Sequence, residues 1–371
     1  MSNGTTFRLD PTYFIGMDLH SNNVVVCVLQ NAITDTQSLT RKIVKKAKIK
    51  LSTDLHELYE FLIPFCKDKP HQATVESTYN WYNVADLFED NHWNLSLADP
   101  TTVKKNKIKS ANDETDAEFL ANQMRLGALN AAVIIPRRDR AFRDLVRLRV
   151  ELVMDRGRYR TILKNFFNNQ RYLKMSTSQL DRLAQECFDN HPETLMKYFD
   201  DANIAMKAEH YLRAMHQLSS QIAALEMQIK KQELDNTLNC HRYLPRLSSI
   251  KGCGFILGSI IASEIVDIHR FQSDRDFVSY CRLAPATRVS NEKDKGKGEG
   301  KNGNAYLSWA MTELANLMVF FNPEVKKKYD KLFKKSRLRA KAIRSLAAKI
   351  ARCIWHMLTK DEDFDIQRAF T

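Results

Sequence analysis

Nothing in the 371 residues approaches the roughly 18 to 20 uninterrupted apolar residues that span a bilayer. The first stretch, MSNGTTFRLDPTYF, also lacks the apolar run of a signal peptide, so a cytoplasmic (cytosolic) protein with no membrane partner is expected. The seven cysteines are scattered, odd in number and contain no Cys-x-x-Cys pair, which argues against both a disulfide framework and a zinc site. Acidic residues are in short supply: 44 Asp and Glu face 57 Lys and Arg, for a net charge of +13. The basic excess is clustered, and such a balance favours a polyanionic partner, most often nucleic acid. The length allows two or three domains, each with its own core.

Strand and helix signals alternate over the first third. YFIGMDLHSNNVVVCVLQ (13–30) reads as an apolar strand, a polar turn at His20–Asn23 and a valine-rich strand. After the basic stretch RKIVKKAKIK, STDLHELYEFLIPFC opens on a capping cluster and continues with helical spacing. HQATVEST reads as a buried strand running to Glu76, NWYNVADLFEDN as a helix, and NLSLADP as a strand ended by Pro100. This predicts an α/β domain with a mixed sheet over residues 1–140. Residues 141–240 are charged helical sequence with few breakers, in which Leu212, Met215, Leu218, Ile222, Leu225 and Ile229 keep the spacing of a coiled-coil seam. A long antiparallel arm or a dimerisation device is expected there, with an ordinary helical bundle as the plainer reading. Residues 241–371 form a third, mainly α unit.

Four acids stand where an RNase H-like fold needs them: Asp18 on the first strand unit, Glu76 at the end of a later strand, and Asp113 with Asp116 on a helix in ANDETDAEFLAN. At i and i+3 the two aspartates share a helix face and repel unless a cation lies between them. Two Mg2+ ions suit such hard oxygen donors and the displacement of groups at phosphorus. Each acid also has a bland reading: Asp18 as a turn residue, Glu76 as a helix-start acid, Asp113 as a cap.

In the last unit, LPRLSSIKGCGFILGSIIASEI resembles a helix-hairpin-helix element, whose glycines let the backbone approach a phosphate; a glycine turn between core helices gives the same string. Residues 284–304, APATRVSNEKDKGKGEGKNGN, read as a polar, mobile loop. Between Asn322 and Ile350, eleven Lys or Arg face two acids. A solvated helix face is the usual explanation of a charge run, but this imbalance points to a phosphate backbone. Lys326, Lys327, Lys328, Lys334, Lys335, Arg337, Arg339, Lys341 and Arg344 are the candidate contacts here, as are Lys45, Lys46, Lys104 and Lys105 in the first domain.

The ordered set IGMDLH, TVEST and NDETDAEFLA, then IKGCG, FQSDRDFVSYCRLAP and GNAYLSWAMTELA, resembles the DEDD transposases of the insertion sequence 110 (116/902) family over nearly the whole chain. The resemblance implies a RuvC-like (RNase H-like) N-terminal domain, a coiled-coil arm and a C-terminal transposase domain. It implies a recombinase that joins donor and target DNA, guided by a structured RNA (bridge RNA) encoded in its own element, acting as a homo-oligomer that is tetrameric in the synaptic complex. Asp18, Glu76, Asp113 and Asp116 match the DEDD metal ligands. The family's nucleophilic serine follows a GL(A/V)P turn, and RLAPATRVSNEKDKG places Ser290 there, with Arg288 and Lys293 beside it to neutralise phosphate. Two positions depart from the pattern: Asn291 follows the serine where glycine is usual, and Arg282 replaces the leading glycine of the turn. Thr287 and Ser308 are rival hydroxyls.

Three other readings compete. A RuvC-like domain alone supports a metal-dependent junction-resolving nuclease with water as nucleophile. GMDLHSN superficially matches the phosphate turn of an actin-like ATPase or sugar kinase, but a second glycine-rich phosphate loop is not found. An RNA-binding scaffold without chemistry is the non-enzymatic alternative.

Overall fold

The computed structural model describes residues 13–35, 40–77, 80–99, 113–189, 192–232, 237–284, 286–290, 293–298 and 303–370. The chain divides into two compact units, Met1–Ile135 and Pro136–Thr371.

The first unit is built on β1 (Tyr13–Leu19), β2 (Asn23–Asp35), β3 (Thr40–Ser52), β4 (His71–Glu76), β5 (Leu95–Ala98) and β6 (Ala131–Ala132). The sheet order is β3-β2-β1-β4-β5-β6. β1 and β2 form the expected hairpin, closed by His20 N donating to Asn23 O at 2.9 Å. β2 pairs antiparallel with β3, so RKIVKKAKIK, which carried no strand expectation, is the edge of the sheet. Lysines there discourage pairing with another chain. β4 and β5 run parallel to β1, and parallel neighbours need crossovers. Between β4 and β5 that crossover is α2 (Trp81–Asp90), while α1 (Leu55–Cys66) leads from β3 into β4. Asp54 caps α1 by accepting from His56 N at 2.8 Å. The mixed α/β sheet is compatible with the expected RuvC-like domain.

Helix α3 (Asp113–Arg125) lies directly on this sheet. A Cβ on Gly16 of β1 would sit 2.0 Å from Ala117 O and 2.5 Å from Ala121 N, so only glycine lets the helix come so near.

The second unit opens with two long helices, α4 (Arg137–Arg171) and, after α5 (Thr177–Phe188), α6 (Ala202–Lys231). Arg149 donates to Glu226, Arg156 to Ser219 and Arg171 to Asp200, so partners rise on one helix as they fall toward the start of the other. The pair is antiparallel. Of the six seam residues named from the sequence, Leu212, Met215, Ile222 and Ile229 are buried, and Leu218 and Leu225 are half-buried. Distally, Leu163 and Phe167 share a core with Leu180, Phe199 and Leu212. Proximally, Phe142, Val146, Val150 and Ile229 enter the core of the C-terminal helices. The first turns of α4 thus fold with the last third of the chain.

That last third contains α7 (Leu244–Ser248), α8 (Phe255–Ile265), α9 (Asp274–Tyr280), α10 (Ala305–Phe321), α11 (Pro323–Ser336), α12 (Arg339–Lys360) and α13 (Ile366–Phe370). Here the structure corrects one expectation. The stretch at 284–304, read as a loop, contains an antiparallel hairpin of β7 (Ala286–Ser290) and β8 (Lys293–Gly298). No helix among the described residues is long and apolar enough to cross a membrane.

Candidate catalytic centre and its supports

The register of β1 and β4 pairs Met17 with Val75, so Asp18 and Glu76 are the next residues on neighbouring parallel strands and face the same side. Gly16 lies two residues before Asp18 and therefore on that side as well, beneath Ala117 of α3. Asp116 immediately precedes Ala117. Backbone geometry thus brings Asp18, Glu76 and Asp116 to one region of the sheet. Asp18 is buried, 7% exposed, and Glu76 and Asp116 are half-buried. His20 Nε2 stands 3.3 Å from Asp18 Oδ2, and Asn80 Nδ2 donates to His20 O at 3.0 Å, tying the start of α2 to the end of β1.

Asp113 is the first residue of α3, and its side chain lies outside the described residues. Among the described residues, no three His, Cys, Asp or Glu side chains form a group able to hold a metal ion. The donor chemistry itself fits: carboxylate oxygens are the ligands Mg2+ takes, and a carboxylate as buried as Asp18 calls for positive compensation.

Ser290 ends β7, with its Cα paired to that of Lys293 across the hairpin. The side chains of Ser290, Arg288, Lys293 and the rival Thr287 are outside the description, as is Asn291 entirely. Ser308, the other rival, is half-buried on α10.

The base of the hairpin is clamped. Arg282 adopts φ +56°, the left-handed region that explains why glycine suits this turn. Its Nε donates to Gly303 O at 2.8 Å, and Arg344 donates to Arg282 O. Gly303 has φ +106°, and a Cβ there would meet Tyr280 O at 2.5 Å. Asn304 N donates to Tyr280 O at 2.6 Å, while its side-chain oxygen caps α10 by accepting from Leu307 N. Asn304 Nδ2 then donates to Glu264 Oε2 at 2.6 Å.

Glu264 is 1% exposed and receives Arg143 Nη2 at 2.9 Å and Arg147 Nη2 at 2.9 Å. Burial alone raises its pKa. The hydrogen bond from Arg147, the charges of Arg143 and Arg147 and the Asn304 bond outweigh that and hold it below the usual carboxylate value. Arg147 also lies 4.4 Å over the Tyr306 ring. The long helix α4, the α8 carboxylate and the cap of α10 are thereby locked together, next in sequence to the segment that carries the hairpin.

The basic helices are largely solvent-facing: Lys326, Lys327, Lys334, Lys335, Arg337, Arg339 and Lys341 are exposed, Lys328 and Arg344 half-buried. In the first unit, Lys45 and Lys48 pair with Glu118 of α3. Lys104 and Lys105, and the side chain of Lys46, lie outside the described residues.

Two family models match the chain. One, described as Transposase and of the DEDD IS110 type, matches residues 15–170, which hold all four acids. The other, described as Transposase IS116/IS110/IS902 family, matches residues 244–330, which hold Ser290, Glu264, Arg282, Gly303 and Asn304. The chain belongs to the IS110/IS116/IS902 transposase family. A similar curated protein is the transposase for insertion sequence element IS1111A of Coxiella burnetii (strain RSA 493 / Nine Mile phase I), 27% identical over 140 residues, 36% of this chain. The match spans 38% of that relative's length.

Sequence reasoning did not find the Glu264 clamp of this IS110-family chain. Its one signal was a lone acid inside the apolar run FILGSIIASEI, a residue that folding buries only with a partner. The KGCG turn is packed on one side and open on the other. Gly252, at φ +109°, packs against Leu317 and Phe321, while Gly254 at the start of α8 has open space beside it.

Proposed function

We propose that the protein is the DNA recombinase of an insertion element, cutting donor and target strands and rejoining them. The observation that carries this reading is the side-by-side placement of buried Asp18 and half-buried Glu76 near the helix that bears Asp113 and Asp116. The matches at 15–170 and 244–330 support it, because they join an acid-bearing domain to a serine-bearing one. Asp18, Glu76, Asp113 and Asp116 would hold Mg2+, two ions per site. When bound, the metal supplies Lewis-acid stabilisation of charge on phosphoryl oxygens.

Ser290 Oγ attacks phosphorus, forming an O–P bond as the bond to the leaving sugar oxygen breaks. A general base takes the seryl proton and returns it to the departing sugar oxygen, which leaves as a free hydroxyl. The phosphoserine link keeps the energy of the broken diester, so resealing needs no ATP. Arg288 and Lys293 neutralise the phosphate. Lys326, Lys327, Lys328, Lys334, Lys335, Arg337, Arg339, Lys341 and Arg344, with Lys45, Lys46, Lys104 and Lys105, bind nucleic-acid backbones. Sequence choice comes from an element-encoded guide RNA, in a homo-oligomer (dimer, tetramer at synapsis) held by the coiled-coil arm. The domains are 1–140, 141–240 and 241–371, and the protein works in the cytoplasm.

The test is expression of the chain with its flanking element and a target DNA, scored for joined donor–target product. Joined product that disappears on chelation of divalent ions supports the reading. Strand cutting without joining supports instead the metal-dependent junction-resolving nuclease, for which the acids suffice.

A further inference from the structure

The C-terminal end of α10 exposes aromatic rings where a stable fold would bury them. Phe320 is 82% exposed and Phe321 42%, with ring centroids 4.9 Å apart and nearly perpendicular. They line a cleft of about 670 Å³ together with Val319, Pro323, Tyr329 and Ile343. Two cations, Lys326 and Arg339, stand on its wall. Tyr329 is backed by Phe333, stacked at 6.0 Å and 16°.

The cleft is built rather than accidental. Buried Asn322 donates from Nδ2 to Lys251 O and to Met318 O, both at 3.2 Å, pinning the KGCG turn to the α10–α11 junction. Gly252 abuts Leu317 and Phe321 from behind. Pro323 opens α11 at a position where its missing N–H costs nothing. The backbone that carries the rings is therefore braced before any ligand arrives. Scattered exposed apolar residues are ordinary, but several rings in one braced cleft beside cations mark an interaction site.

We propose that this cleft takes an unpaired base of single-stranded DNA, the base stacking on Phe320 or Tyr329 and the flanking phosphates meeting Lys326 and Arg339. Every base offers a π-face, and stacking platforms beside cations are how proteins hold single strands. Duplex DNA keeps its bases stacked inside and presents none to the cleft. Lys326 is shared with Asp330, to which it donates at 2.6 Å, but a two-fold contact here would still bring Arg339 of both copies together, which disfavours a second copy of this chain. The inference rests on the recombinase reading, in which strand exchange leaves bases unpaired.

The test uses the full-length protein and a fluorescently labelled oligodeoxynucleotide, single-stranded or as duplex, with the RNA of the same sequence as a third ligand. Affinities are measured by anisotropy for wild type, Phe320→Ala and Tyr329→Ala, with sedimentation of each and thermal melts to confirm folding. Phe320 is exposed, so its removal leaves the core intact. The expected result is a loss of about 5- to 100-fold in single-strand affinity for Phe320→Ala, with duplex affinity unchanged. Unchanged single-strand affinity in both variants overturns the proposal, as does an equal loss for single strand and duplex. Loss confined to RNA assigns the cleft to RNA instead, and a lost oligomer with unchanged DNA affinity assigns it to a second copy. If wild type binds no DNA in any form, the recombinase reading itself fails; if it binds single strands without using the cleft, only this inference does.

Discussion

In Met1–Ile135 the candidate acids are collected by the backbone, whereas in Pro136–Thr371 the residues flanking the hairpin of Ser290 are held by side chains from distant parts of the sequence. Asp18 and Glu76 need only the parallel register of β1 and β4 and a glycine that lets α3 settle on the sheet. The ends of the segment carrying the Ser290 hairpin are tied by Glu264, 121 positions from Arg143 and 40 from Asn304, and by the contact of Arg282 with Gly303. A site set by register fails when its acids change. One set by a buried polar clamp fails when a partner is left unpaired, even though none of the clamp residues is a nucleophile or proposed metal ligand.

The comparison can be broken most sharply at Asp18. Asp18→Asn keeps the shape but removes the charge, and strand cleavage of element-end DNA should fall by about 10³-fold or more, while unfolding by denaturant changes little. Wild-type turnover in this variant sinks the metal assignment. Next comes Glu264→Ala, which leaves Arg143 charged, buried and uncompensated. A loss of about 3–5 kcal/mol in equilibrium unfolding is expected, confined to the second unit.

The pH dependence of Glu264 has a definite sign. Its folded pKa is depressed, so its contribution is present above the unfolded carboxylate value and is lost as pH falls through the folded one. Denaturation at a series of acidic pH values should show a shallower decline for Glu264→Gln than for wild type. Parallel curves would argue that the clamp carries no such linkage.

Gly16→Ala drives a methyl into Ala117 O and Ala121 N, and should cost about 1–3 kcal/mol by thermal or chemical unfolding, with cleavage reduced because α3 must move. The smallest effect belongs to Arg282→Gly. Relief of the left-handed backbone, about 1 kcal/mol, is offset by loss of the Nε bond to Gly303, so stability should stay within about 1 kcal/mol of wild type. A large change in either direction would show that one of these two terms is misjudged.

The same contrast governs what could be read beforehand. The β1–β2 turn, the Asp54 cap, the strand ending at Glu76 and the helix starting at Asp113 were legible because each is a local pattern of apolar period or capping residue. β3 was not, since its lysines hide the alternation of an edge strand, whose outer face needs no apolar cover. The hairpin at 286–298 was read as a loop because Lys, Asp and Gly have low strand preference. The antiparallel run of α4 and α6 followed from an unbroken helical spacing, but the burial of the first turns of α4 in the C-terminal core did not. Glu264 meets Asn304 and Arg143 only in three dimensions, so the lone acid in its apolar run signalled a buried partner without naming it.

The most direct test of the central claim, that acids of one unit and Ser290 of the other serve one reaction, is a trap for covalent protein–DNA adducts. The protein is expressed with its native flanking element, given target DNA and denatured, and DNA-linked protein is measured for wild type, Ser290→Ala and Asp18→Asn. The account predicts an adduct in wild type alone. Cleaved DNA with no adduct in wild type, or an adduct that persists in Ser290→Ala, would contradict it.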